Sequence, residues 1–266
     1  RPCFGNLPRP PNPERARKMQ RSIDFNCDLG EGCANDADVM PFISSANIAC
    51  GAHAGDIASM RATLRLCAAH GVSAGAHPGY ADREHFGRRA LALSREQIRS
   101  LLHEQLERIA EIALEEGVAL VHVKPHGALY NQAAADAVLA DAIAEAVRAF
   151  DSNLILVGLA GSRLITAGLA HGLRIAHEAF TDRRYRSDGS LAARSQPGAV
   201  IESADAAIAQ ALAIVRGESI ACIDGTALRV HADTLCLHGD GSDAAGFAGS
   251  LRAAFDDAGV MVRCLQ

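Results

Sequence analysis

The sequence lacks the signatures of several common classes of protein. No apolar run reaches the roughly 18 residues that a membrane-spanning helix needs, and no signal-peptide pattern opens the chain. The net charge is −5 and the charged residues of both signs are interspersed. The sequence therefore lacks the charge pattern typical of proteins that bind nucleic acid or a membrane surface. We therefore expect a cytoplasmic protein that binds neither.

Paired cysteines and nucleotide-binding loops are also missing. The eight cysteines include no C-x-x-C pair, and those within apolar segments predict buried, reduced thiols. These are Cys27, Cys50, Cys67, Cys222 and Cys236. No G-x-G-x-x-G or P-loop pattern follows the first predicted strand, so neither a dinucleotide site nor a Walker-type site is supported.

A helical metal-binding motif is absent as well. No H-x-x-x-H or H-E-x-x-H pair lies on a predicted helix, so a tightly bound metal is not predicted. The weak candidates for metal ligands are Asp28, His53 and His77.

The first 18 residues differ in composition from the rest of the chain. They contain five of the nine prolines, followed by the charged run Glu14-Arg-Ala-Arg-Lys18 and then Met19. This composition predicts a disordered extension or a tail left from expression over residues 1–18, with Met19 as a plausible natural start. Residues 19–266 are predicted to form one domain.

From Ser22 onward, the sequence alternates between strands, polar loops and helices. Seven such units are predicted, with strands that begin at Ser22, Ala46, Val72, Gly117, Leu154, Arg174 and Thr234. A small hairpin is predicted over residues 219–230, before the last strand. Polar clusters follow six of the seven strands, whereas an open sheet concentrates its chemistry at one switch point. We therefore predict an α/β fold, a seven-stranded (β/α)7 TIM-like barrel.

The first strand has two different faces. Its apolar residues alternate with Asp24, Asn26 and Asp28, which is the period of two expected of a strand. The polar face fits either a solvated edge strand or a barrel strand that points its acids inward.

The segment His122–Asn131 carries the densest chemistry. Lys124 and His126 directly follow a short apolar strand. Pro125 restricts the backbone between them, so both side chains are expected to have fixed directions. Charged residues just beyond a buried strand are typical of an α/β active site. A lysine and a histidine that merely solvate a loop are the alternative.

Many other polar residues follow the predicted strands and are expected to meet at the same rim of the barrel. The full set is Asp24, Asn26, Asp28, Glu31, His53, Asp56, His77, Lys124, His126, Glu178, Asp182, Arg183, His238 and Asp240. Such a set supports metal-free general-base catalysis, a divalent metal site or, third, a Schiff base on Lys124. The Schiff base ranks last because nearby carboxylates would raise the pKa of Lys124.

Six motifs carry a resemblance to a known family. They span residues 24–31, 45–56, 75–80, 122–131, 178–185 and 238–240, and together they resemble the LamB/YcsF family. One departure is Ala52, where a bulkier residue is expected. The resemblance implies the seven-stranded barrel of the glycoside hydrolase/deacetylase group.

The resemblance also implies an activity. It is that of component A of ATP-dependent 5-oxoprolinase, which opens the lactam of 5-oxo-L-proline to L-glutamate with partner subunits B and C. ATP, with Mg²⁺, is expected to be used by the complex, with the partners handling the nucleotide.

Within this scheme the predicted roles are as follows. Asp28 or Asp240 activates water, while Lys124 and His126 hold the developing negative charge. Arg183 pairs with a substrate carboxylate or phosphate. The other predicted substrate-binding residues are Asp24, Asn26, Glu31, His53, His77, Glu178, Asp182 and His238. Replacing Lys124 with Met is expected to abolish turnover and to leave the fold intact.

Two other functions fit the same residues. The chain could be a non-catalytic ligand-binding or scaffolding subunit, although a ligand cup has little need for so many inward carboxylates. By fold analogy alone, it could be a metal-dependent amidohydrolase or deacetylase acting on a carbohydrate-like amide.

Overall fold

The computed structural model describes residues 21–33, 35–237 and 244–265. The predicted extension over residues 1–18 lies outside this part of the chain.

Ten strands occur within the described residues. In chain order they are β1 (Ser22–Leu29), β2 (Ser45–Ala49), β3 (Ser73–His77), β4 (Leu120–Val123), β5 (Ile155–Leu159), β6 (Arg174–Phe180), β7 (Ser219–Ala221), β8 (Ala227–Arg229), β9 (Thr234–Leu237) and β10 (Met261–Val262).

The helices cover the outside of the sheet. They are α1 (Asp36–Val39), α2 (Ile57–His70), α3 (Arg95–Glu115), α4 (Gly127–Ala135), α5 (Ala137–Phe150), α6 (Arg163–Ala170), α7 (Ala204–Arg216) and α8 (Ala244–Asp257), with 3₁₀ turns at Met40–Phe42 and Arg83–His85. Among these described helices, none combines the length and apolar character needed to cross a bilayer.

Seven parallel strands close into a barrel. Their order is β1-β2-β3-β4-β5-β6-β9, and β9 pairs again with β1, where Asp24 lies opposite Thr234. The short strand β10 adds to the start of β1, and β7 and β8 form the predicted antiparallel hairpin. The prediction of a seven-stranded (β/α)7 barrel is confirmed.

Strand β1 shows how its two faces are used. Phe25 points outward and makes an edge-to-face contact with Phe255 of α8, with ring centroids 5.7 Å apart. Asp24 and Asn26, on the other face, are 2% exposed and point into the barrel. The polar face of β1 is therefore the interior of the barrel, not a solvated edge.

Helix boundaries follow the capping residues. Ser94, with Gln97 three residues later, predicts a capping box at the start of a helix, and Ser94 does accept a hydrogen bond from the backbone N–H of Gln97 at the start of α3. The sequence predicts an alanine-rich helix that carries Val138, Leu139, Ile143 and Val147, and this is α5, while α4 is a separate helix before it. Asp136 lies between them in an extended conformation and caps α5 through Val138 and Leu139.

Two strand boundaries differ from the prediction. The fourth strand begins at Leu120 rather than Gly117, because Val118 still donates a hydrogen bond to Ala113 at the end of α3. The sixth strand extends to Phe180, so Glu178 lies within the strand and points into the barrel rather than into a loop.

Candidate active site

A cavity of about 930 Å³ opens at the carboxyl ends of the barrel strands. Six of the residues predicted for the site line it, namely Asp28, Glu31, His77, Lys124, His126 and Arg183. They come from the ends of β1, β3, β4 and β6, which is the usual position of an active site in an α/β barrel.

The ammonium group of Lys124 lies between two carboxylates. Its Nζ is 2.8 Å from Asp28 Oδ1 and 2.8 Å from Glu178 Oε1, and the residue is only 2% exposed. It is also 3.3 Å from the amide oxygen of Asn26. The only buried lysine in the described residues is thus fixed across the barrel from β4 to β1 and β6.

The charges around Lys124 decide its protonation. Burial alone would lower its pKa, but the carboxylates of Asp28 and Glu178 outweigh burial and hold the pKa well above its ordinary value. A charged ammonium is not a nucleophile, so a Schiff base on Lys124, the last of the three chemistries inferred from the sequence, is disfavoured.

A network of amides and one imidazole orients Asp28. Asn47 donates from Nδ2 to both Asn26 and Asp28 at 2.8 Å, and its own oxygen lies 2.7 Å from His122 Nε2. Burial lowers the pKa of His122 to about 3, so this ring is neutral. Asp28 Oδ1 is therefore held by Lys124 and Asn47 together.

Asp24 belongs to a deeper layer of the barrel. Its Oδ1 accepts from Ser44 at 2.7 Å and from Ser45 at 2.6 Å, and its Oδ2 accepts from Thr234 at 2.5 Å. Burial raises the pKa of Asp24, and these hydrogen bonds oppose the shift. Because it does not line the cavity, its predicted substrate contact has no direct geometric support.

Three imidazoles form a cluster beside Asp28. His53 stacks on His126 with ring centroids 3.8 Å apart, and His77 meets His126 edge-on at 4.9 Å. Burial lowers the pKa of His53 to about 3 and that of His126 to about 2. Burial and the neighbouring Asp28 raise the pKa of Glu31, whose Oε1 lies 3.3 Å from both His53 Nε2 and His126 Nδ1.

This cluster is also where a metal could be held. Within the described residues, two sets of side chains bring their donor atoms within 4.8 Å of one another. One set is Asp28, His77 and His126, and the other is Glu31, His53 and His126. Of the sequence-based candidates, Asp28 and His77 belong to the first set and His53 to the second, and His126, which is in both sets, is an addition.

Arginines dominate the mouth of the cavity. Arg183 is 5% exposed, donates to the carbonyl of Ala192 at 2.6 Å, and has no partner for its buried Nε. Burial lowers the pKa of Arg183, and the positive charge of Arg194 lowers it further. Four further arginines line the cavity, namely Arg88, Arg163, Arg186 and Arg194. The mouth therefore suits an anionic ligand.

The remaining predicted residues take other positions. His53 packs behind His126, Glu178 pairs with Lys124, and Asp182 is buried without lining the cavity. Asp56 is the N-cap of α2 and accepts a hydrogen bond from Ser59 N, so it serves the helix rather than the site. His238 and Asp240 lie outside the described residues.

Some residues of the candidate site were not among those predicted from the sequence. Asn47 and His122 complete the network around Asp28, and the polar alternation of β2 at Ser45 and Asn47 could have indicated them, as it did in β1. Arg163 lies in a segment without a predicted polar cluster, so its part in the cavity had no local signal, whereas Arg186 directly follows the motif over residues 178–185 and was overlooked.

The comparisons with known proteins agree with this architecture. The family model of the LamB/YcsF family matches residues 23–266. The chain belongs to the LamB/YcsF family. A lactam utilization protein from Thermus thermophilus has a similar structure, with a TM-score of 0.86 and 41% sequence identity. The match covers 92% of this LamB/YcsF chain and 100% of that chain.

Two other solved structures are similar at low identity. A family 4 carbohydrate esterase from Streptomyces lividans has a TM-score of 0.48 and 11% identity, covering 92% of this LamB/YcsF chain and 93% of that chain. The peptidoglycan deacetylase PdaC from Bacillus subtilis has a TM-score of 0.49 and 10% identity, covering 92% and 88% respectively.

Proposed function

We propose that this chain is component A of an ATP-dependent 5-oxoprolinase, which opens the lactam of 5-oxo-L-proline to L-glutamate together with partner subunits B and C. The observation that carries the proposal is membership of the LamB/YcsF family, with 41% identity to a lactam utilization protein over that protein's whole length. A shared fold and length at this identity support a lactam as the substrate.

The charge of the cavity supports a substrate with a carboxylate. 5-Oxo-L-proline carries one carboxylate next to its lactam ring, and Arg183 offers a buried guanidinium with an unpartnered Nε in the cavity wall. The N-termini of α4 and α6 also border the cavity, through Ala128 and Ser162. Guanidinium groups and helix N-termini both favour anions.

The floor of the cavity supports the hydrolytic step. Water adds to the lactam carbon, the C–N bond breaks and the nitrogen takes up a proton, which leaves a carboxylate and an amine. Asp28 is the candidate base, and the charged Lys124 beside it is the candidate partner of the developing oxyanion. His126 is a weaker donor than the sequence suggested, because its Nε2 already contacts the carbonyl of Phe86 at 2.9 Å.

The remaining parts of the proposal concern the complex. We assign ATP, with Mg²⁺, to the assembled enzyme and nucleotide handling to the partners, since the sequence has no recognisable nucleotide-binding loop. We also place the activity in the cytoplasm. None of the seven described cysteines forms a disulfide, which fits a reducing compartment.

Glutamate release from 5-oxo-L-proline and ATP tests the proposal. The purified chain alone, the B and C subunits alone, and all three together are compared at matched concentrations. We expect release at full rate only from the three together. Equal release by B and C without this chain would refute a catalytic role for it.

Replacing Arg183 with Gln tests the anion contact within that assay. Loss of a charge-assisted hydrogen bond of about 1.5–3 kcal/mol should raise KM by roughly 10-fold to 100-fold, with a smaller change in kcat. Arg252→Gln is the matched control, since that arginine lies on α8 and is absent from the cavity lining. An unchanged KM in Arg183→Gln would exclude this contact.

A further inference from the structure

Three buried side chains from different barrel strands point one donor atom each toward the same place in the cavity wall. Asp28 lies near the end of β1, His77 ends β3, and His126 precedes α4. His77 Nε2 lies 3.0 Å from His126 Nδ1 and 3.3 Å from Asp28 Oδ2. All three are at most 9% exposed.

Backbone carbonyls fix the tautomers of both rings. His77 Nδ1 lies 2.7 Å from the carbonyl oxygen of Lys124, and His126 Nε2 lies 2.9 Å from that of Phe86. A carbonyl only accepts hydrogen bonds, so each of these nitrogens carries a proton. The other two ring nitrogens, His77 Nε2 and His126 Nδ1, are consequently the ones available to a ligand, and they face each other at 3.0 Å. A cation or a proton between them would account for so short a separation.

The third donor is oriented as firmly as the two rings. Asp28 Oδ1 accepts hydrogen bonds from Lys124 and Asn47, both at 2.8 Å, and this turns Oδ2 toward His77. Carbonyls and amides that hold the far side of a ligating group are the usual surroundings of a metal site. The groups around Asp28 therefore do more than pack the barrel.

The spacing of the donor atoms matches a single small ion. Ligands bound tetrahedrally at about 2.0–2.1 Å lie about 3.3–3.4 Å apart. Two of the three separations between donor atoms, 3.0 Å and 3.3 Å, are close to this value, and all three donor atoms lie within 4.8 Å of one another. Two imidazoles and one carboxylate favour a first-row transition ion over Mg²⁺ or Ca²⁺.

We propose that Asp28, His77 and His126 bind one divalent transition-metal ion, with zinc as the best match, and leave the remaining coordination positions open to the cavity. Glu31 lies next to the open side, with its Oε1 3.3 Å from His126 Nδ1. A bound ion would polarise a carbonyl oxygen or lower the pKa of a bound water. The test of metal binding needs no substrate, so this inference can fail without the lactam reaction failing. If the ion binds Asp28, the base role proposed above for that carboxylate would pass to a water on the ion.

Metal binding by the full chain is the test. Protein stripped with a chelator is titrated with ZnCl₂ by calorimetry, and the metal content after dialysis is measured by mass spectrometry. We expect one ion per chain. Loading with Co²⁺ should give a visible spectrum of nitrogen and oxygen ligation without the thiolate charge-transfer band that the cysteines would produce.

Substitutions locate the ion. Changing a residue that only hydrogen-bonds to a metal ligand weakens metal affinity by about 10-fold to 100-fold. Changing a ligand itself should have a larger effect, so His77→Gln and His126→Gln should each weaken zinc affinity by about 100-fold or more. His103→Gln is the control, because this exposed histidine on α3 pairs with Glu107. Circular dichroism of each variant checks folding, and if a variant does not fold, the stoichiometry and Co²⁺ spectrum of the parent chain decide.

The competing explanation is a proton shared between the two rings, with His77 as an imidazolium paired to Asp28. It predicts negligible binding of Zn²⁺ and a downfield proton resonance in chelator-treated protein that is lost in His77→Gln. Either that pattern, or zinc affinity in both glutamine variants equal to that of the parent, would overturn the proposed site.

Discussion

Replacing Lys124 with Met removes the charge that lies between two buried carboxylates. The ammonium is 2.8 Å from both Asp28 and Glu178, and Glu178 is completely buried. Methionine fills a similar volume, so the main change is electrostatic. The sequence alone suggested that this variant would lose turnover and keep its fold intact, whereas the structure adds a large loss of stability.

The size of that loss follows from the burial of the pair. Removing one partner from a buried ion pair lowers the free energy of unfolding by about 3–5 kcal/mol, because the remaining charge has no compensation. For a chain of this size, 1 kcal/mol corresponds to about 2–4 °C in Tm. We therefore expect Tm to fall by about 6–20 °C, together with loss of turnover.

Thermal and urea unfolding, followed by circular dichroism, measure the effect. Glu178→Gln and the double variant Lys124→Met/Glu178→Gln complete a double-mutant cycle, in which the double variant should be more stable than the sum of the single effects by about 0.5–3 kcal/mol. Arg252→Met is the control, since its ion pair with Asp256 is exposed and contributes less than about 1 kcal/mol. A Tm within about 2 °C of the parent in Lys124→Met, or strict additivity, would refute the reasoning.

Two further predictions concern packing and thiol reactivity. Gly75→Ala should destabilise the barrel by at least about 3 kcal/mol in urea unfolding, because the new Cβ would lie 2.1 Å from Nε2 of His122. Gly249→Ala, whose Cβ would meet only a phenylalanine ring at 3.3 Å, should stay within about 1 kcal/mol of the parent, and equal losses would contradict the account. Burial raises the pKa of Cys50 to about 12, so iodoacetamide at pH 8 should label the exposed Cys33 and leave Cys50 unmodified by mass spectrometry. Rapid labelling of Cys50 in folded protein would contradict its burial and would make it a candidate nucleophile.

Much of the barrel could be predicted because each strand and helix carries its own local pattern. The alternation in β1 and the capping box at Ser94 are properties of a few neighbouring residues, and both are confirmed. The helix boundary at Asp136 and the late start of β4 were missed because they depend on how a helix satisfies its last or first backbone groups. The two-residue strand β10 forms only because β1 offers it an edge.

The sequence predicts which side chains point into the barrel, but not how far each lies below the opening of the cavity. The alternation of side chains in a strand predicts that Asp24 and Asp28 lie on the same face of β1. Because a strand rises about 3.3 Å per residue, the two residues nevertheless lie about 13 Å apart along it. Asp28 therefore lines the cavity, while Asp24 is held below it by Ser45 and Thr234. The closing of the ring by β9 sets this depth, and no local pattern encodes that pairing.

The polar filling of the barrel explains why the two layers depend on each other. Buried polar groups destabilise a fold unless they are hydrogen-bonded, and Asn26 satisfies groups on both levels by donating to Thr234 at 2.5 Å and to Glu178 at 3.1 Å. Glu178 in turn holds Lys124, which fixes Asp28 at the floor of the cavity. The buried hydroxyl of Tyr130 also interacts with the carboxylate of Glu178, although neither this hydroxyl nor Glu178 Oε2 makes a hydrogen bond of ordinary geometry. Apolar side chains of similar volume would stabilise the barrel at least as well, so we infer that this network serves to position Asp28 and Lys124.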